Sequence, residues 1–176
     1  MRRLLLVAVL VFAGAGNAAA QKLELAGGYT YMGFDTNLPN VNRVNLNGWN
    51  GSIGLFPVKY VGLVGEFTGT YGSPNILGVQ TDLNVHTYMF GPRVVLPALL
   101  LRPYAQALFG GARRSATALG IHAVDTDFAM SLGGGLDLNL PGPLDVRLAQ
   151  VDWLRTQFGG TDQNHWRYSA GIVFRW

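Results

Sequence analysis

The stretch Trp166-Arg167-Tyr168-Ser169-Ala170-Gly171-Ile172-Val173-Phe174-Arg175-Trp176 decides the fold. Its even positions are aromatic or aliphatic, whereas its odd positions are Arg167, Ser169, Gly171, Val173 and Arg175. Side chains alternate between two faces only in a strand, so the segment reads as a β-strand with one apolar face and one polar or small face. Val61–Tyr71 behaves the same way. Leu63, Gly65, Phe67, Gly69 and Tyr71 share one face, and Val64, Glu66, Thr68 and Thr70 share the other.

Working outward from these two, the same alternation predicts eight strands, at 22–32, 46–55, 61–71, 82–95, 101–114, 125–139, 144–154 and 166–176. No segment sustains a capped helical repeat. The connections alternate in kind. Residues 56–60, the segment around Pro97 and Pro141-Gly142-Pro143 are short, proline-bearing turns. Residues 33–45, 72–81, 115–124 and 155–165 are longer and rich in Asn, Gly, Asp, Thr and Gln. An even number of strands of ~10 residues, with short turns at one end and long loops at the other, predicts an all-β, eight-stranded antiparallel up-and-down transmembrane β-barrel. Both termini then lie at the short-turn end.

Aromatic positions point the same way. Tyr29, Tyr31, Trp49, Tyr71, Tyr88, Phe128, Trp153, Trp166 and Tyr168 are expected outward near the long-loop ends, and Phe56, Tyr60, Tyr104, Phe174 and Trp176 outward near the short turns. Two aromatic belts around an aliphatic band suit two lipid–water interfaces. Composition agrees: of 176 residues 49% are hydrophobic, only 13% are charged, 24 are glycine and none is cysteine. The absent thiol removes disulfides, thiol catalysis and Cys-ligated metals.

The amino terminus reads as a cleaved signal peptide over residues 1–20. Met1-Arg2-Arg3 is basic, Leu4 to Val11 is apolar, and Ala18-Ala19-Ala20 supplies the small-residue cleavage pattern. Residues 21–176 would form the barrel domain. The formal charge of +3 includes Arg2 and Arg3; their removal leaves little net charge, so no nucleic acid partner is expected.

Over the whole mature chain the sequence resembles the small outer-membrane β-barrel family typified by the transmembrane domain of OmpA. Val61–Tyr71, His86–Val94, Tyr104–Ala112, Phe128–Leu136 and Tyr168–Trp176 carry the likeness most specifically. The resemblance implies an integral protein of the bacterial outer membrane with periplasmic termini and a structural or surface-interaction role through its extracellular loops. It also implies that Tyr168, Ile172, Phe174 and Trp176 act as the signal received by the barrel-assembly machinery. No peptidoglycan-binding domain follows Trp176, so wall tethering is not expected.

Among candidate sites, the inward face gathers Asn50, Glu66, Arg93, Gln106, Asp137 and Arg147 into an expected lumen network. Glu66 is expected to pair with Arg93, and Asp137 with Arg147 across the Pro-Gly-Pro turn. A bulge near Ala149 would add Gln150 and Asp152 to Glu24, Ser52 and Asp145 on that face. An eight-stranded barrel has just enough interior for side chains to fill, so these read as a packed interior before they read as a pore. Arg113, Arg114, Arg155 and Arg167 are expected at the outer rim as lipopolysaccharide contacts, since guanidinium groups bind phosphate oxygens in pairs. His86, His122 and His165 lack the spacing of a metal site, and no Ser stands in a recognisable motif with them. No catalytic residue, metal or cofactor is therefore expected. The alternatives are a narrow porin-like channel, a lipid A-modifying enzyme with His122 or His165 as base, and a soluble barrel binding an apolar ligand inside. The sequence specifies no loop partner.

Overall fold

The computed structural model describes residues 22–34, 44–73, 75–76, 79–96, 100–118, 121–157 and 163–176. The expected signal peptide lies outside the described residues. Among the described residues there are ten strands: β1 (Lys22–Phe34), β2 (Val44–Val58), β3 (Val61–Gly72), β4 (Asn75–Ile76), β5 (Val79–Gln80), β6 (Asp82–Val95), β7 (Leu101–Ala118), β8 (Ile121–Leu138), β9 (Leu144–Thr156) and β10 (Gln163–Arg175). Eight close into one antiparallel barrel in the order β1-β10-β9-β8-β7-β6-β3-β2, while β4 and β5 form a small hairpin of their own. The segment expected as a loop at 115–124 is mostly strand, because Arg114↔Asp125 through Ala118↔Ile121 continue the β7–β8 ladder.

Closure brings the two ends of the chain together. Glu24 lies opposite Arg175 and Gly33 opposite Trp166, and Leu23 and Trp176 exchange backbone hydrogen bonds at 3.0 and 3.2 Å. Glycine is needed at this seam. A Cβ on Gly28 would sit 2.1 Å from the Ala170 carbonyl oxygen, and one on Gly171 2.2 Å from that of Gly27. At the turn before β9, Gly142 has φ of 109°, in the region that L side chains rarely adopt.

Ladder partners also reveal the strand tilt. Stepping sideways from Gly28 leads through Asn50, Thr68, Thr87 and Ala112 to Asp127. That path starts in the middle of β1 and ends near the long-loop end of β8, so each sideways step climbs towards that end.

The two faces separate as the alternation predicts. Leu63, Phe67, Tyr71, Ile172 and Phe174 are exposed on the outside, whereas Glu66, Thr68, Arg167 and Val173 are buried inside. A register shift between Leu136 and Asp137 leaves both Leu148 and Ala149 exposed. That bulge turns Gln150 and Asp152 inward. Two aromatics depart from expectation. Phe56 and Tyr104 face inward, 7% and 6% exposed, and pack with Val64 and Val95. They share parity with Gly54 and Gln106 respectively, and parity overrides the preference of aromatic rings for an outer belt.

Deleting Phe174–Trp176 removes the partners of Leu25, Glu24 and Leu23 on β1 and reopens an edge with unsatisfied N–H and C=O groups. The truncated chain is expected to lose protease-resistant barrel in detergent micelles and on gels run without heating. Normal yield of resistant barrel would show that these residues are dispensable for closure.

Candidate functional site

Every strand of the barrel except β2 contributes a charged or hydrogen-bonding member to the interior network: Glu24 from β1, Glu66 from β3, Arg93 from β6, Gln106 from β7, Asp137 from β8, Arg147 from β9 and Arg167 from β10. Nearest the short turns, Glu24 is a hub. One of its oxygens accepts from Arg93 Nη1 at 2.6 Å and Arg147 Nη2 at 3.1 Å, and the other accepts from Arg175 Nε at 3.0 Å. Asp137 accepts from Arg147 Nε at 2.9 Å and from Arg175 Nη2 at 2.5 Å. Asp145 pairs with Arg175, lies 3.8 Å from Arg102 and accepts the Leu140 N–H at 3.0 Å.

A second layer lies further in. Arg167 is fully buried and donates to Glu66, to Asp152 at 2.8 Å and to Thr68 at 2.9 Å. Two glutamines tie the layers together. Gln106 accepts from Arg93 Nε at 3.0 Å and donates to Asp152 at 3.1 Å. Gln150 accepts from Arg147 at 3.1 Å and donates to Glu66 and Asp152, both at 2.8 Å. The Tyr104 ring is flanked by Arg93 and Arg147, whose Cζ atoms lie 4.5 and 4.7 Å from its centroid, and its hydroxyl donates to Gln150 at 2.7 Å.

Charge balances across this column. Carboxylates of Glu24, Glu66, Asp137, Asp145 and Asp152 meet guanidinium groups of Arg93, Arg102, Arg147, Arg167 and Arg175. Buried ions are tolerated only when paired and hydrogen-bonded, so one-to-one balance is what this interior requires. Towards the long loops the interior turns apolar. Met32, Leu46, Val85, Met89, Leu108 and Leu154, from five strands, pack into a second buried cluster.

The expected network is thus regrouped. Asp137 meets Arg147, and Arg93 meets Gln106. Glu66 does not pair with Arg93: their ladder partners are Met89 and Gly62, four residues apart, and Arg167 takes Glu66 instead. Asn50 is buried with no hydrogen bond to its side-chain oxygen, outside the network. Glu24 and Arg175 were legible as an inward-facing pair at the seam once β1 is set beside β10.

Arg167 is also corrected. With its guanidinium enclosed by Glu66, Asp152 and Thr68, it cannot reach lipopolysaccharide. The other rim arginines differ among themselves. Arg114 lies 3.9 Å from Asp125. Arg155 lines a crevice of about 130 Å³ on the outer wall with Phe128, Met130 and Gln157. Arg113 is exposed, directly opposite His86 on β6 and Thr126 on β8. Beside it runs an outward polar chain in which Trp49 Nε1 donates to the Tyr71 hydroxyl at 3.4 Å and that hydroxyl bonds His86 Nε2 at 3.2 Å.

His165, expected in a loop, is buried inside β10 against the Thr156 hydroxyl at 3.1 Å. The side chain of His122 lies outside the described residues. Among the described residues no group of three His, Asp or Glu is placed to hold a metal ion.

No family model matches the chain, and no curated protein matches it. Solved structures do. Ail, the attachment invasion locus protein of Yersinia pestis, is similar at 15% identity with a TM-score of 0.61, covering 88% of this chain and 99% of Ail. Neisserial surface protein A is similar at 12% identity and a TM-score of 0.63, covering 88% and 96%. The N-terminal β-barrel domain of Pseudomonas aeruginosa OprF is similar at 17% identity and a TM-score of 0.58, covering 89% and 97%. At these identities the likeness is one of fold: the chain has the closed eight-stranded architecture of small outer-membrane barrels.

Arg167→Met leaves Glu66 and Asp152 with only amide donors, Gln106 and Gln150, and is expected to cost about 3–5 kcal/mol. Arg147→Met should cost less, because Glu24 and Asp137 keep Arg93 and Arg175. Arg147 and Asp137 substituted singly and together should show coupling of about 0.5–3 kcal/mol in urea unfolding from detergent micelles. Additive losses, or a larger loss for Arg147→Met, would contradict the two-layer assignment.

Proposed function

We propose that this chain is an integral protein of the bacterial outer membrane whose sealed barrel is a structural scaffold for its long loops, with a surface-interaction role and no enzymatic activity. The observation that carries the reading is the inversion of polarity. The interior holds a charge-balanced ion-pair column, while the outer wall exposes Leu55, Leu63, Phe67, Phe90, Leu132, Leu148 and Ile172. A soluble barrel would bury its apolar groups and solvate its charges. An apolar outer band around an interior that holds this ion-pair column suits lipid outside.

In this reading the short-turn end and both termini are periplasmic, and the loops reach the cell exterior. Residues 1–20 direct export, and the Tyr168, Ile172, Phe174 and Trp176 face of β10 is presented to the barrel-assembly machinery. Outer-membrane lipids, lipopolysaccharide among them, are its partners through Arg113 and Arg155 at the rim. Ail, a barrel of the same fold, is known in complex with the heparin analogue sucrose octasulfate. A barrel of this architecture can thus serve as a binding surface.

The scaffold reading is preferred to a channel because two layers block the lumen in series. The ion-pair column fills one half, and Leu46, Leu108, Leu154 and their neighbours fill the other. Purified protein in a planar bilayer is expected to show no steady conductance. Breaking the column with Asp137→Ala and Arg147→Ala should not open it, since the apolar layer still excludes water. A steady open pore in the unmodified protein would favour the channel.

Placement in lipid is tested by face. Leu63→Arg and Ile172→Arg set a charge on the outer wall and should each cost about 2–4 kcal/mol at mid-membrane. Leu63→Gln and Ile172→Gln should cost less. If folding titrations into lipid vesicles show equal losses, and cell fractionation finds the protein released without detergent, the membrane assignment fails.

A further inference from the structure

Charge in the ion-pair column balances as a whole but not along its length. The layer nearest the short turns sets Arg93, Arg102, Arg147 and Arg175 against Glu24, Asp137 and Asp145. Lys22, two residues before Glu24 on the same face of β1, adds a fifth cation at that mouth. The inner layer sets Arg167 against Glu66 and Asp152, whose oxygens also take the amide donors of Gln106 and Gln150. Among the described residues the mouth therefore holds two more cations than carboxylates.

Two of these five cations lack an acceptor in the chain. The Arg102 side chain is only 19% exposed, yet among the described residues it makes no hydrogen bond, and its ion-pair contact with Asp145 is 3.8 Å long, beyond hydrogen-bond reach. Asp145 is already engaged, because it pairs with Arg175 and accepts the Leu140 N–H at 3.0 Å. Lys22 is exposed and has no carboxylate partner among the described residues. Both side chains line one cavity of about 270 Å³ in the mouth, together with Asn139, Gly142, Asp145 and Arg175. Nothing stands within 4 Å of the Cβ position of Gly142, so the turn leaves that side open. At roughly 30 Å³ per water, the space takes a small anionic group with its waters. Water alone can satisfy the N–H donors of Arg102, but it leaves the surplus charge in place.

We propose that the short-turn mouth is a seat for a phosphate monoester, held by the guanidinium of Arg102 and the ammonium of Lys22. The two surplus charges select the ligand class. A phosphate monoester carries close to two negative charges above pH ~6, whereas a carboxylate or a phosphodiester carries one. The guanidinium offers paired N–H donors to two phosphate oxygens, and the ammonium adds a point charge. Lys22, Arg102, Asp145 and Arg175 come from β1, β7, β9 and β10, so the cavity opens along the barrel axis at the short-turn end and not through the wall. That this end is periplasmic rests on the function proposed above. There the same chemistry has two sources, a soluble phosphate ester or a monoester lipid headgroup folded over the rim.

The test titrates the purified protein in detergent micelles with glycerol 3-phosphate, dimethyl phosphate and acetate by calorimetry, at about pH 8 where the monoester is doubly charged. Glycerol 3-phosphate is expected to saturate one site and to bind about tenfold tighter than either monoanion. Lys22→Gln and Arg102→Gln should each weaken it about tenfold, and Arg102→Lys should keep part of the affinity. Lys59→Gln removes the same charge from the β2–β3 turn, outside the cavity, and should leave binding intact. Equal affinities for the three anions, unaltered binding in folded Arg102→Gln or Lys22→Gln, or an equal loss in Lys59→Gln would overturn the proposal. Mobility on unheated gels shows which variants are folded, and Lys22, being exposed, can be replaced without disturbing the column. Competition by phosphatidic acid in the micelles assigns the phosphate to a lipid headgroup, and its absence assigns it to a soluble ester; both uphold the seat. Lys22 and Lys59, both at the short-turn end, are the two lysines of the sequence. A membrane-impermeant amine reagent should therefore modify neither on intact cells and both after the outer membrane is permeabilised. Modification on intact cells with binding retained refutes the periplasmic orientation beneath the proposal, whereas protected lysines without phosphate binding refute the seat alone.

Discussion

Pairing of β1 with β10 is the constraint on which everything else in this molecule depends. A curved sheet that fails to close leaves two rows of unpaired backbone groups, and here closure also fixes the sideways climb from strand to strand. That climb determines which interior groups share a level. It sets Arg175 beside Glu24, carries Arg167 of β10 to Glu66 of β3, and keeps Arg93 four residues away from Glu66 along the sheet. The ion-pair column is a consequence of closure as much as of composition.

The interior also illustrates what a buried ionic network contributes. Each charge is costly to desolvate, and the mutual attraction offsets this only when geometry and hydrogen bonding are complete. Completeness here comes from Gln106 and Gln150, amides that donate to one layer while accepting from the other. Tyr104 adds an aromatic face between two guanidinium groups. Such an arrangement favours one strand register over its neighbours, because a shift by two residues would mismatch carboxylates and arginines along the whole column.

Alternation made the fold legible before any coordinates, and so was the Asp137–Arg147 contact, since both lie five residues from Gly142 at a tight turn. The same alternation could have placed more than it did. Tyr104 stands two residues from Gln106 and Phe56 two from Gly54, so each must share its neighbour's face, but aromatic character near a turn suggested a belt. Arg167 between Trp166 and Tyr168 is likewise inward by parity. Its apparent place at the rim came from proximity to a loop expected from residue 155 onward, whereas β9 runs to Thr156 and β10 begins at Gln163. Partners three or four strands apart were not legible, because they follow from the stagger of a closed sheet, a property of the whole barrel and not of any pair of segments.

The unequal strand lengths carry a consequence for reach. At 18 residues each, β7 and β8 exceed the 12 to 15 of the other barrel strands. At ~3.3 Å per residue and a tilt of ~40°, they span about 45 Å along the axis against an apolar band about 25 Å tall. On the long-loop side β8 runs eight residues past Ala129, the partner of the last residue of β9, and β6 accompanies β7 as far as Asp82↔Thr117, so the wall stands higher along β6, β7 and β8 than at β9. The height of that raised side is set by backbone hydrogen bonds instead of by loop conformation. A contact made on that side would begin with little entropy left to lose, and removing a pair of residues from each of β7 and β8 would lower it by several ångströms without altering the ion-pair column below.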